Sequence, residues 1–227
     1  MNIYAVITAD VVGSRESDIL KNGEYNNVKE YLDERIEELN LKLEISNLGI
    51  LSRVSASRGD EIQVVCKDLK HIPILLRWLR YYCLPLKLRA GIGIGSIEYF
   101  SDIDSYANNP LYYDSWDMNG EAFYLARKAL DSLKEEKGLA TSIRAKDYTT
   151  TTVLQTIYDL MDGYIRRWTM SQWKSIHAYS ENITYDIAAR ELAISATGVY
   201  KNCSSANWKL INKTEENLSY ILDTLQK

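Results

Sequence analysis

The order in which two periodicities follow one another constrains this chain more than any single motif. NIYAVITA, beginning at residue 2, is short, apolar and β-branched and is stopped by Asp10 and Gly13, which reads as a buried strand. From Tyr25 onward Val28, Leu32, Ile36, Leu39 and Leu43 recur every three or four residues, the spacing of an amphipathic helix. Two strand-like runs follow, ILSRVSAS and EIQVVC, joined through Arg58, Gly59 and Asp60. A second helix starts near His71, with Pro73 in its first turn where a missing N–H costs nothing, and runs to about Cys83. PLKLRAGIGIGSI returns to strand, GEAFYLARKALDSLK to helix through Phe123, Ala126, Leu130 and Leu133, and LATSIRA can close the sheet.

Strand, helix, strand, strand, helix, strand is the order of a ferredoxin-like α+β sandwich, in which the first and third strands lie antiparallel at the sheet centre. Residues 99–118, rich in Tyr, Asp and Asn, read as a long ordered loop. The polar run DYTTTT marks a change of register, and everything after it reads as helix. The expected organisation is therefore an α+β sandwich over 1–148 and a small all-α domain over 149–227. Gly91, Gly93 and Gly95 share one strand face, which suits either a ligand or another backbone at close approach, or a helix packed over a bare face.

Charge excludes one class of function. Lysine and arginine number 8 against 8 aspartates and glutamates from residue 151 on, and 19 against 23 before it, so neither half has the excess of a strong nonspecific DNA binder. Three scattered cysteines offer no disulfide framework or closely spaced zinc motif, and a reducing cytoplasm is the expected setting. No leader-like opening and no run of about eighteen apolar residues is present, so neither export nor a membrane partner is expected. His71 and His177 are too few for a zinc site, and His177 is expected on a helix surface. Trp168, Trp173 and Trp208 fall at apolar helical positions and are expected in a core.

In the sandwich topology Asp10 ends the first strand and Asp60 begins the third, so the two approach each other. Hard divalent cations take oxygen ligands of this kind, here Asp10, Asp60 and a backbone carbonyl such as that of Val11, together with nucleotide phosphates. Each aspartate alone is equally at home as a turn residue. Asp114 and Asp117, in YYDSWD, could touch a base or metal or could cap a loop.

The stretches ITADVVGSR, RGDEIQVV, LRAGIGIGSI and NGEAFYLARKAL, in that order, resemble the SatD family and, more distantly, the catalytic palm of class III nucleotidyl cyclases and diguanylate cyclases. The cyclase resemblance implies that Asp10 and Asp60 bind Mg²⁺ or Mn²⁺, with Glu61 matching the second acid of the diguanylate cyclase hairpin. Nucleotide contacts are expected at Gly13, Ser14 and Arg15, at Gly59 and at Arg89. Class III enzymes carry an Asn and an Arg four residues apart on the following helix. Here those positions are Tyr124 and Lys128, with Arg127 beside the latter, so a point charge stands where the family has a fork.

The segment from Trp168 to Ile211 carries a second pattern. Thr184 can cap a helix containing Ile187, Ala188 and Leu192, and Ser195 the next, whose Val199 and Cys203 face inward, with small Ala189 at the crossing. This is helix-turn-helix spacing and is similar to region 4 of sigma factors. Ala196, Thr197, Tyr200, Lys201 and Ser204 would then face DNA, in a stretch from Ser195 to Lys213 with three lysines and no acid. The expected function is a DNA-binding regulator whose palm binds a nucleotide and a divalent metal, with a homodimer allowed. The alternative is an enzyme that makes a cyclic nucleotide or dinucleotide from a triphosphate, with Asp10 and Asp60 on Mg²⁺ and Lys128 or Arg127 supplying positive charge.

Overall fold

The computed structural model describes residues 2–13, 25–46, 48–57, 59–99, 113–135 and 140–227. Its first part runs β1 (Tyr4–Val11), α1 (Val28–Glu44), β2 (Ser55–Ala56), β3 (Glu61–Cys66), α2 (Ile72–Tyr82), β4 (Leu88–Gly95), β5 (Glu98–Tyr99), β6 (Met118–Asn119), α3 (Glu121–Glu135) and β7 (Thr141–Ala145). Among the described residues the main sheet is mixed, in the order β2-β3-β1-β4-β7. β1 is central and antiparallel to both β3 and β4, as expected for the first and third strands, and β7 joins β4 in parallel after α3. β5 and β6 pair as a separate ribbon that joins the two ends of the stretch read as a loop.

β1 reads as a continuous apolar run because both of its faces are covered. Ala5, Ile7 and Ala9 belong to a cluster with Leu32 of α1 and Leu75 and Leu79 of α2, while Val6 packs with Val65, Ala122 and Ala126 on the α3 side. The glycine question is decided on that second face in favour of the helix. A Cβ at Gly91 would fall on the Ala126 carbonyl and the Leu130 amide, and one at Gly93 on the Ala122 carbonyl and the Ala126 amide. The helix backbone occupies the space that side chains would need.

The expected strand ILSRVSAS is corrected to two residues. Ser55 and Ala56 form the ladder with β3, Ile50 makes an isolated bridge to Cys66, and between them side chains take part of the backbone bonding. The buried Asn40 amide bonds both the carbonyl and the N–H of Val54 at 2.9 Å, and Ser52 Oγ accepts from the Val65 N–H at 2.9 Å.

The helical part comprises α4 (Tyr148–Ile165), α5 (Met170–Asn182), α6 (Tyr185–Leu192), α7 (Ala196–Ser205) and α8 (Trp208–Gln226). Asp147 caps α4 through the Thr150 N–H, so the threonine run lies inside the first turns of a helix. These helices share the apolar cluster of the sheet, to which Tyr158, Ile176, Leu218 and Leu222 belong along with Ile7 and Leu75. Two buried ion pairs cross the junction: Arg77 of α2 holds Glu215 of α8 at 3.0 and 3.1 Å, and Arg80 holds Asp162 of α4 at 3.1 Å. Cys66, Cys83 and Cys203 are buried free thiols, and burial pushes Cys66 and Cys83 up to about 12. Among the described residues no helix is long and apolar enough to cross a membrane.

The surface position expected for His177 is corrected as well. Its ring stacks on Tyr81 with centroids 3.7 Å apart and meets Tyr82 edge-on, between α5 and α2. Burial lowers its pKa to about 4; the Arg77 and Lys42 charges act in the same direction and Glu181 opposes them.

Two tests follow from this packing. Gly93→Ala should destabilise the fold by at least about 2 kcal/mol, because a backbone rather than a flexible side chain must yield. Gly163→Ala, on α4 with nothing within 4 Å of the added carbon, should stabilise by about 0.5–1 kcal/mol, and urea unfolding reads both. Above pH 6.5 His177 is neutral whether folded or unfolded. Between 6.5 and about 4 the unfolded chain takes up a proton that the folded chain refuses, so stability falls as pH falls. His177→Phe should flatten that part of the stability profile by about 2 kcal/mol, allowing for partial exposure.

Candidate functional site

The α3-facing side of the sheet changes character along β1, from Val6 through Thr8 to Asp10. The same change runs back along β3, from Val65 through Gln63 to Glu61. Thr8 and Gln63 are buried and satisfy each other, Gln63 Nε2 donating to Thr8 Oγ1 at 3.1 Å. Beyond them the strand ends carry charge. Asp10 lies directly across from Glu61 on one side and from Arg89 of β4 on the other. Opposite charges at facing positions attract, and Arg89 holds the buried Asp10 in a two-bond fork, Nε to Oδ1 at 2.9 Å and Nη2 to Oδ2 at 3.0 Å. Like-charged Glu61 is compensated from the helix layer, where Arg127 donates Nη1 to Oε2 at 2.6 Å and Nη2 to Oε1. The Glu61 hydrogen bonds hold the Arg127 proton more firmly than usual.

Two left-handed glycines flank this array, Gly13 after β1 (φ 68°) and Gly59 before β3 (φ 107°), each with open space where a side chain would stand. Asp60 is half-buried beside Glu61. Chemically, the strand ends present two arginine–carboxylate forks and a further carboxylate. An incoming phosphate could compete for the guanidinium groups and a cation for the carboxylates. Among the described residues no group of three or more His, Cys, Asp or Glu is placed to hold a metal ion, so a ligand set does not stand preassembled.

A second candidate surface lies in the helical part. Thr184 Oγ1 accepts from Ile187 N and caps α6, and Ser195 Oγ accepts from Gly198 N at 3.0 Å and caps α7. The turn between them passes through Ala193 in the left-handed region (φ 52°), and Ile194 N closes it on the Ala189 carbonyl at 3.0 Å. α5, α6 and α7 pack on one another through buried Ala188, Ala189, Val199 and Cys203. Thr197, Tyr200, Lys201 and Ser204 face solvent, Ala196 is half-buried, and Tyr200 rests edge-on against Tyr185 at 5.6 Å.

The family model described as SatD family matches residues 4–221. The chain belongs to the SatD family. No curated protein and no solved structure matches it.

In this SatD-family chain the residues singled out from sequence for the strand-end site divide into four groups. Asp10, Glu61, Arg89 and Arg127 are brought together, with Val11, Gly13, Gly59 and Asp60 around them. Tyr124 and Lys128 are exposed on α3 and take no part in the described array. Ser14 and Arg15 lie outside the described residues. Asp114 caps a short turn, accepting from Trp116 N and from Ser55 Oγ. Sequence reasoning missed the buried pair Thr8 and Gln63. Their signal was a polar residue at every second position of otherwise apolar strands, Thr8 and Asp10 in one and Glu61 and Gln63 in the other.

Proposed function

We propose that this protein is a DNA-binding regulator in which α7 enters the major groove. The burial pattern of α7 carries this reading: only Val199 and Cys203 of the helix are buried, which leaves Thr197, Tyr200, Lys201 and Ser204 on one accessible side. Side chains of these kinds reach phosphates and base edges. The N-terminal cap by Ser195 and the absence of acids from Ser195 to Lys213 add to it. Duplex binding by the full chain, followed by fluorescence anisotropy, should weaken with rising salt. Lys201→Glu should weaken it roughly tenfold at constant salt, with no change in thermal stability. No retention of duplex at low salt, or equal affinity of the variant, would overturn this reading.

The array at the strand ends supports a second role, as a site for a nucleotide accompanied by a divalent ion. Asp10, Asp60 and Glu61 against Arg89 and Arg127 make three acids and two bases, a net charge of −1. An isolated phosphate is repelled by that balance, and a divalent ion reverses it to +1. Asp10, Asp60, Glu61 and the Val11 carbonyl would hold Mg²⁺ or Mn²⁺, whose contribution would be to neutralise phosphate charge. Arg89 and Arg127 would then be released to the nucleotide. Arg89→Met frees Asp10, so millimolar Mg²⁺ should raise the melting temperature of that variant by several degrees and that of wild type by less. Identical shifts in both proteins would remove Asp10 as a ligand. The alternative role as a nucleotide-cyclising enzyme has less support, because Lys128 is exposed away from the array and only Arg127 reaches it.

A further inference from the structure

Among the described residues β7 is an edge strand of the main sheet, and side chains of α4 stand where a further strand would pair. Gln155 Oε1 accepts from the Ile143 N–H at 2.8 Å and its Nε2 donates to the Thr141 carbonyl at 3.0 Å, while Thr151 Oγ1 accepts from the Ala145 N–H at 2.9 Å. Where α3, β7 and α4 meet, a cavity of about 190 Å³ is left open. Sites for drug-sized ligands begin at about 300 Å³, so this one suits a molecule of only a few heavy atoms.

Two opposite charges line it. Arg144 of β7 is half-buried, and its Nε is shut off from solvent with no hydrogen-bond partner. Among the described residues its guanidinium enters no hydrogen bond or ion pair. Leaving such a donor unpaired is costly, which marks the place of an acceptor. Asp159 of α4, also half-buried, is oriented from one side only: Gln155 Nε2 donates to its Oδ1 at 2.6 Å. The hydroxyls of Ser132 on α3 and Ser142 on β7, 3.3 Å apart, add groups that both donate and accept. Arginine and carboxylate thus face one cavity without closing on each other.

We propose that this cavity binds a small α-amino acid as its zwitterion. Arg144 meets the carboxylate, with its Nε–H among the donors, and Asp159 accepts from the ammonium together with the serine hydroxyls. The two side-chain charges cancel, as do those of the ligand. A molecule with only one of the two charges leaves the opposite side chain facing a group that cannot pair with it. A short side chain is all that the volume admits.

Calorimetric titration of the full chain with L-alanine tests the site without DNA or Mg²⁺, so its failure leaves both readings of the preceding subsection standing. L-Lactate and L-alaninamide keep the shape of alanine and each remove one charge. Alanine should bind saturably with a dissociation constant below about 1 mM. Each analogue should bind at least about tenfold more weakly, and L-tryptophan should not bind. Arg144→Met should abolish the preference for alanine over alaninamide, and Asp159→Asn the preference over lactate. Thermal unfolding checks that both variants fold, and the Asp159→Asn comparison decides if Arg144→Met does not. Absence of saturable binding, equal affinity of wild type for alanine and lactate, or preferences unchanged in the folded variants would overturn the proposal.

Discussion

The close approach of α3 to β4 is the contact on which the rest of the sheet layer depends. Without side chains at Gly91 and Gly93 the helix rests its own backbone on the strand, closer than any other residue would permit. That height brings Arg127 within reach of Glu61, whereas a helix raised by a layer of side chains would leave the carboxylate next to Asp10 uncompensated. A packing feature thus sets the electrostatics at the strand ends. The neighbouring fork belongs to the sheet itself, since β4 begins with Arg89 directly opposite Asp10.

On the other face the junction with the helical part is made by charge as well as by apolar surface. Arg77 and Arg80, one turn apart on α2, reach Glu215 on α8 and Asp162 on α4. Buried ion pairs add little net stability when intact, because desolvation offsets attraction, but losing one partner costs about 3–5 kcal/mol. They therefore fix how α4 and α8 seat on α2. Glu215 shows the tension directly, since burial raises its pKa while Arg77 pulls it down. Gln226, at the end of α8, adds a polar clasp by donating to the Ile3 carbonyl at 3.0 Å and accepting from Leu69 N at 3.0 Å. The three-helix unit carrying α7 is thereby held against the body of the sheet.

Local rules were read correctly where one residue acts on its own neighbours. The caps at Thr184 and Ser195 and the inward positions of Val199 and Cys203 follow from chemistry within a few residues. ILSRVSAS misled because β-branched alternation does not reveal that Asn40, on a helix, will take the backbone of Val54. His177 misled because a polar residue in a polar helix is ordinarily exposed, and nothing nearby in sequence announces the stacked Tyr81. Arg77 and Arg80 did leave a trace, as charges in the otherwise apolar helix IPILLRWLRYY.

By itself the sequence determined the alternation of strands and helices and the helical character after residue 148, because periodicity and capping are local properties. Tertiary structure decided who pairs with whom. That Asp10 is met by Arg89 and Glu61 by Arg127, that the glycines receive a helix, and that a cavity opens beside Arg144 all depend on register and layer spacing. Those are set by the packing of residues tens of positions apart, a distance over which no local pattern carries information.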